Sequence, residues 1–148
     1  MDSMLTQPVF QAYAISVAIL VLTLYGLGFF TAKTRAERKV VVNPEDVSVN
    51  AGSSVAESDH PDVLRVKRAH INLIENAVPF FAIGFLYTLS SPGLNVARGI
   101  FGTFVLVRVL HAIFYLSAKQ PFRTGSFAVG ALINVFMVVQ VLRAALGG

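Results

Sequence analysis

Three polar side chains, Arg68, Asn72 and Glu75, are spaced i, i+4 and i+7 where an apolar segment begins. At about 100° per residue, this spacing places them along one side of a helix. Polar and ionisable groups in a membrane span are energetically costly, so they usually face a bundle interior or a hydrated cavity. Pro79 lacks the backbone N–H that would bond the Glu75 carbonyl, and it predicts a kink there. This stripe is a candidate wall of a polar site, whereas His70 points to roughly the opposite side.

A second stripe lies further along the chain and carries an arginine near the middle of an apolar segment. Arginine forms paired hydrogen bonds with carboxylates and stays charged when partly desolvated. Together with arginines at the ends of other apolar segments, the stripe predicts a site for a small anion with several carboxylates, beside an apolar co-substrate. Snorkelling or pairing with Glu75 is the structural alternative for these arginines, and a helix–helix hydrogen bond is the alternative for the histidines. The second stripe consists of Phe101, Phe104, Arg108, His111 and Tyr115.

The composition is that of an integral membrane protein. Of the 148 residues, 55% are hydrophobic and 14% are charged, against about 25% charged in soluble domains. The absence of cysteine excludes disulfides, thiolate zinc sites and a cysteine nucleophile, so a reactive thiol would have to arrive with the substrate. We expect no metal site, since neither His70 nor His111 has carboxylates at ligand spacing. The net charge of +4 is explained by membrane topology and an anionic ligand, and no nucleic-acid partner is expected.

The apolar segments predict four transmembrane helices in one domain spanning residues 1–148. Each is close to, or longer than, the roughly 20 residues needed to cross a bilayer. A polar connection over about 32–60 contains Asn43-Pro-Glu-Asp46, which predicts a short interfacial helix. Asn134 and Gln140 are expected to form hydrogen bonds between helices. The N-terminus lacks the basic region of a signal peptide, so we expect the first helix to be retained. The predicted helices span about 9–31, 61–90, 96–116 and 124–146.

Basic residues are concentrated at one end of the predicted bundle. The positive-inside rule therefore predicts that the two basic connections are cytoplasmic and that both termini are not. The basic end holds Lys33, Arg35, Arg38, Lys39, Arg65, Lys67, Arg68, Lys119 and Arg123, and the opposite end holds only Arg98 and Arg143.

Several sequence blocks resemble a known family. The segment Arg65–Phe80 is similar to the signature of the MAPEG family, membrane-associated proteins in eicosanoid and glutathione metabolism. Further blocks resemble the branch of microsomal glutathione transferases and prostaglandin E synthases, and the resemblance covers about Thr31 to Leu142. These further blocks are Asn43–Asp46, Gly84–Tyr87, Arg108–His111 and Tyr115–Leu116.

The resemblance implies an all-α integral membrane four-helix bundle that forms a homotrimer in membrane lipid. It also implies that glutathione is the co-substrate and binds between neighbouring subunits near the cytoplasmic face. Arg123 matches the arginine that stabilises the glutathione thiolate. Positions that match glutathione-binding residues are Arg35, Arg68, His70, Asn72, Glu75, Arg108 and Tyr115. Accessory positions are Asp46, His111 and Thr124.

Two residues distinguish the branches. The prostaglandin synthases have a serine and a tyrosine where this chain has Thr124 and Phe127, and Phe127 resembles the transferases. The first hypothesis is a glutathione transferase acting on lipophilic electrophiles, with glutathione-dependent reduction of lipid hydroperoxides as a second activity. The alternatives are a prostaglandin E synthase-type isomerase and a non-catalytic lipid-binding adaptor. The membrane would be the endoplasmic reticulum in a eukaryote or the inner membrane in a bacterium.

Overall fold

Four long helices make up most of the protein. The computed structural model describes residues 4–147, so residues 1–3 and 148 of the predicted domain lie outside the described part. All four helices are long and apolar enough to cross a membrane. This confirms the predicted all-α bundle of membrane-length helices. The helices are α1 (Pro8–Arg38), α2 (Pro61–Leu89), α3 (Leu94–Leu116) and α4 (Phe122–Ala145), preceded by a short 3-10 helix at Met4–Thr6.

Helix α1 is longer than its apolar segment. It was expected to end near residue 31, but it continues to Arg38. The added residues contain no glycine or proline, so nothing in them interrupts the backbone hydrogen bonds. The helix ends at Lys39, whose backbone is left-handed (φ 55°) and whose N–H bonds the Arg35 carbonyl. The drop in hydropathy after residue 31 therefore marks where the chain leaves the apolar environment, whereas the helix itself continues to Arg38.

The connection between α1 and α2 is ordered by a small parallel pair of strands, β1 (Val40–Val41) and β2 (Ser54–Val55). Between them, the predicted short helix is present as a five-residue 3-10 helix, Pro44–Ser48. Asn43 has the extended backbone of an N-cap, but its side chain does not cap the helix. Its amide instead donates to the Asp46 carboxylate at 3.3 Å.

Packing places α2 and α3 at the centre of the bundle. Helices α1 and α4 each pack against both, and they do not contact each other within residues 4–147. Aromatic side chains fill the middle, where the rings of Phe80 and Phe104 stack with centroids 4.2 Å apart. Tyr13 of α1 donates a hydrogen bond to the Phe81 carbonyl at 2.7 Å. Helix α2 continues through Pro79 without a break.

Candidate functional site

A pocket of about 230 Å³ lies at the end of the bundle where α3 ends and α4 begins. It combines one residue of the first predicted stripe with two residues of the second. Its walls therefore come from three consecutive helices, α2, α3 and α4. The lining residues are Asn72, His111, Tyr115, Arg123, Thr124 and Phe127. We call this space the Arg123 pocket.

Arg123 supplies the positive charge of the pocket. Its guanidinium carbon lies 4.6 Å from the centre of the Tyr115 ring, within the distance of a cation–π contact. With the Gln120 amide oxygen turned toward Arg123, that oxygen accepts from Nη2 at 2.6 Å and from Nε at 3.1 Å. The Gln120 nitrogen then donates to Thr124 Oγ1 at 3.0 Å. Among residues 4–147 no carboxylate pairs with Arg123, so its charge is not neutralised there.

His111 connects α3 to the first turn of α4. Its Nδ1 lies 2.9 Å from the Arg123 carbonyl oxygen. Because a carbonyl oxygen only accepts hydrogen bonds, Nδ1 carries the proton in a neutral ring, and Nε2 is then an acceptor. Nε2 is buried and has no hydrogen-bond partner within the described chain. The helix–helix hydrogen bond is thus observed, and the same ring also lines the Arg123 pocket.

Amide side chains join α2 to α4 beside this pocket. Asn134 donates to the Asn76 carbonyl at 3.3 Å, which confirms its predicted role between helices. Asn76 in turn donates to the Asn72 carbonyl at 2.8 Å. The side-chain oxygen of Asn72 is buried and lacks a partner in the part of the chain that the structure describes. It is a second acceptor in the pocket wall that a ligand donor can satisfy.

Arg108 lies deeper in the bundle, with 1% of its surface exposed. Its Nη2 donates to the backbone carbonyls of Ser126 and Phe127, both at 2.9 Å. Gly130 makes room for it, because an added Cβ there would contact the guanidinium group. Arg108 is not among the residues that line the Arg123 pocket. In the single chain it holds the first two turns of α4 in place.

Arg35 is held by an acid that the sequence did not single out. Asp59 is buried and accepts from Arg35 Nε and Nη2, both at 3.0 Å, and from Lys67 Nζ at 3.0 Å. Burial by itself raises the pKa of the Asp59 carboxyl, but the hydrogen bonds from Lys67 and Arg35 outweigh it and lower the pKa below its ordinary value. This cluster joins the end of α1 to the start of α2.

Comparison with known proteins decides the family. The model of the MAPEG family matches residues 13–143. The chain belongs to the MAPEG family. The resemblance found in the sequence is therefore confirmed over most of the chain.

The MAPEG relatives carry two kinds of name. The chain is 39% identical to a protein named microsomal glutathione S-transferase 1 from Homo sapiens, over 93% of this chain and 92% of the relative. It is 36% identical to a protein of that name from Bos taurus, over 99% of this chain and 97% of the relative. It is 33% identical to a prostaglandin E synthase from Macaca fascicularis, over 93% of this chain and 91% of the relative.

The remaining predicted site residues of this MAPEG chain lie outside the Arg123 pocket. Arg68 and Glu75 are exposed on α2, and Glu75 forms no ion pair with any residue between 4 and 147. His70 is half-buried and faces α1, where its Cε1 lies 4.0 Å from the position of a Cβ added at Gly28. Asp46 lies in the connection between α1 and α2. One chain therefore gathers Asn72, His111, Tyr115, Arg123 and Thr124 and leaves the other predicted residues apart.

Two residues at these sites were missed by reasoning from the sequence. Gln120 lies in the short connection before α4 and orients Arg123. Its position three residues before the arginine is the feature of the sequence that could have indicated this contact. Asp59 lies 24 residues after Arg35 in an irregular connection, so no helical spacing relates the two.

Proposed function

We propose that this MAPEG protein is a membrane glutathione transferase that joins the glutathione thiolate to lipophilic electrophiles. Reduction of lipid hydroperoxides by the same thiolate is the second activity that we propose. The observation that carries the proposal is the un-neutralised Arg123 guanidinium in a pocket lined by acceptors and aromatic rings. The names of the human and bovine relatives support the same activity.

The chemistry needs a sulfur anion at neutral pH. A free thiol has a pKa of about 8.5, and a neighbouring cation lowers it because it stabilises the thiolate. In our proposal Arg123 lies beside the glutathione sulfur. The thiolate then attacks an electrophilic carbon, and the new sulfur–carbon bond forms as the leaving group departs with its electron pair. The cysteine-free chain is consistent with a thiol that is brought by the co-substrate.

The rest of glutathione requires more polar groups than the Arg123 pocket offers. Arg68 and Glu75 lie on a face of α2 whose other exposed side chains include Ile71, Ile74 and Val78. Charges on such a face of a membrane helix need contact with protein or water rather than lipid. We propose that a homotrimer supplies this contact. Arg68 and Glu75 of one subunit then face the Arg123 pocket of its neighbour, which includes the neighbour's own Asn72, and glutathione lies between them.

Two predicted glutathione ligands have more limited roles in this proposal. Asp59 already occupies Nε and Nη2 of Arg35, which leaves Nη1 for a glutathione carboxylate. Arg108 is buried, so we assign it the positioning of α4 rather than direct contact. His70 and Asp46 do not line the Arg123 pocket of the same chain, so we assign them no contact there.

The pocket favours a transferase over an isomerase of the prostaglandin synthase type. Phe127 lines the pocket without a hydroxyl group, so it offers no hydrogen-bond donor. The hydroxyl of Thr124 accepts a hydrogen bond from the Gln120 nitrogen and keeps its own proton as a donor. A nucleophilic substitution by a thiolate needs neither group, because proximity and a stabilised anion are sufficient.

The location of the pocket also fits a glutathione enzyme. The pocket lies at the basic end of the bundle, the same end as the Arg35–Asp59 cluster. The positive-inside rule assigns that end to the cytoplasm, where glutathione is the main thiol buffer. We propose that both termini face the opposite side of an endoplasmic reticulum or bacterial inner membrane.

Turnover of Arg123 variants tests the proposal. Arg123→Ala should lower turnover of an activated aryl halide by on the order of 100-fold, and Arg123→Lys should restore part of it because the cation returns. Arg98→Ala is the matched control, since Arg98 is an exposed arginine on α3 away from the pocket. The control should keep full turnover. Normal turnover in Arg123→Ala would contradict the thiolate assignment.

A further inference from the structure

A second pocket lies at the opposite end of the bundle, between the end of α2, the start of α3 and the end of α4. It has a volume of about 330 Å³, within the range of small-molecule sites. Its walls contain one arginine and no carboxylate. The proposed transferase reaction uses none of its residues. The polar lining residues are Tyr87, Ser90, Gln140 and Arg143, and the others include Pro92, Gly93, Val96 and Phe136. We call it the end pocket.

Tyr87 is the buried member of this group. Only 3% of its surface is exposed, and its ring packs edge-on against Phe101 and Phe136. No residue between 4 and 147 forms a hydrogen bond with its hydroxyl group. Its hydroxyl oxygen is not one of the fully buried polar atoms that lack a partner in the described chain, so it is accessible from the end pocket that Tyr87 lines. The Tyr87 hydroxyl is therefore a donor that is available to a ligand in the end pocket.

Gln140 and Arg143 provide further donors one turn apart on α4. Gln140 was expected to bond a neighbouring helix, but no such hydrogen bond occurs in the described chain, and its side chain lines the end pocket instead. Arg143 is exposed and forms no ion pair among the described residues. Its charge also favours the last turn of α4, where backbone carbonyls are unpaired.

The start of α3 adds a third kind of donor. A helix leaves its first backbone N–H groups without partners inside the helix. Gly93 provides no side-chain cap, and the first turn of α3 contains no acid. Gly93 and Val96 both line the end pocket, so the positive end of the α3 dipole borders it.

We propose that the end pocket binds an oxyanion of the phosphate class, with Arg143 as the counter-charge and Tyr87 and Gln140 as hydrogen-bond donors. Such an oxyanion belongs either to a phospholipid headgroup or to a free phosphate. Val96 and Phe136 continue the pocket into the apolar surface, which suits a headgroup whose chains lie along the bundle.

The experiment uses the full chain purified in a maltoside detergent, which carries no phosphate. The lipid probe is dioctanoyl phosphatidylglycerol, and dioctanoylglycerol is the control with the same chains and no phosphate. Inorganic phosphate is the soluble probe, measured against chloride at equal ionic strength. Binding is measured by native mass spectrometry and by the shift in melting temperature.

Three variants distinguish a built site from general surface charge. Arg143→Ala should weaken phosphate-class binding by about tenfold and Tyr87→Phe by about threefold, because each removes a donor. Arg98→Ala, at the same end but beside a different groove, should change binding by less than about twofold. Saturable binding of inorganic phosphate with this pattern would identify free phosphate as a ligand. The same pattern for phosphatidylglycerol alone would identify a headgroup.

Two results would overturn the proposal. One is an equal loss of binding in Arg98→Ala and Arg143→Ala, which would indicate surface charge alone. The other is the absence of any phosphate-dependent binding, that is, no saturable binding of inorganic phosphate together with phosphatidylglycerol binding no tighter than dioctanoylglycerol.

Discussion

Replacing Gly130 by alanine tests whether the buried Arg108 holds α4. The added Cβ would lie 2.6 Å from Arg108 Nε and 2.7 Å from Cζ, so the guanidinium group must move. Moving it breaks the hydrogen bonds to the carbonyls of Ser126 and Phe127. Hydrogen bonds to a charged group contribute about 1.5–3 kcal/mol each, and alanine regains about 1 kcal/mol of helix propensity. The expected net loss is about 2–5 kcal/mol of stability.

The assay is thermal unfolding of the detergent-solubilised protein followed by circular dichroism. For a chain of this size the expected decrease in melting temperature is roughly 4–20 °C. Gly125→Ala is the matched control on the same helix, since nothing lies within 4 Å of a Cβ added there, and it should be neutral or stabilising. In an Arg108→Met background, Gly130→Ala should cost less than about 1 kcal/mol. A melting temperature for Gly130→Ala equal to that of the Gly125 control would refute the reasoning.

Three further predictions concern other parts of the site. Asp59→Asn should lower the free energy of unfolding by about 1–3 kcal/mol at neutral pH. Because the pKa of Asp59 is lowered in the folded protein, its carboxylate contributes its full stabilisation above the ordinary pKa of 3.8, and this stabilisation is lost as the pH falls below that value. The melting temperature of Asp59→Asn should therefore not show this loss of stability at acidic pH. Tyr115→Phe should keep turnover because the ring under Arg123 remains, whereas Tyr115→Leu should lower it by about two- to fivefold; equal turnover in both variants would show that the ring contact is not used. Glu75→Gln should weaken glutathione binding in calorimetry without changing the melting temperature, since Glu75 is exposed, and unchanged affinity would place Glu75 outside the site.

The number and approximate positions of the four helices could be predicted, because an apolar segment long enough to cross a membrane is recognisable in the sequence. The end of α1 could not, because hydropathy marks the membrane boundary and Lys33 to Arg38 are compatible with a helix. Local spacing correctly placed His111 and Tyr115 on one stripe, and the structure adds Arg123 to them.

Helical spacing did not predict how deeply a side chain is buried in the bundle, nor which side chain from another element it contacts. It grouped Arg108 with His111, but it could not show that Gly130 lets the arginine lie inside the bundle. It also could not relate Arg35 to Asp59, since the intervening connection has no regular period. Contacts between separate elements depend on the packing of the whole chain.

The most direct test of the central claim is the pKa of the glutathione thiol bound to the purified protein. It is measured as the thiolate absorbance in an ultraviolet difference spectrum across pH. A cation near the sulfur at an effective dielectric constant of about 20 is expected to lower the thiol pKa by about 1–3 units from about 8.5. We predict a thiolate band at neutral pH that Arg123→Ala removes. A bound thiol that titrates near its free pKa in the unchanged protein would contradict the account.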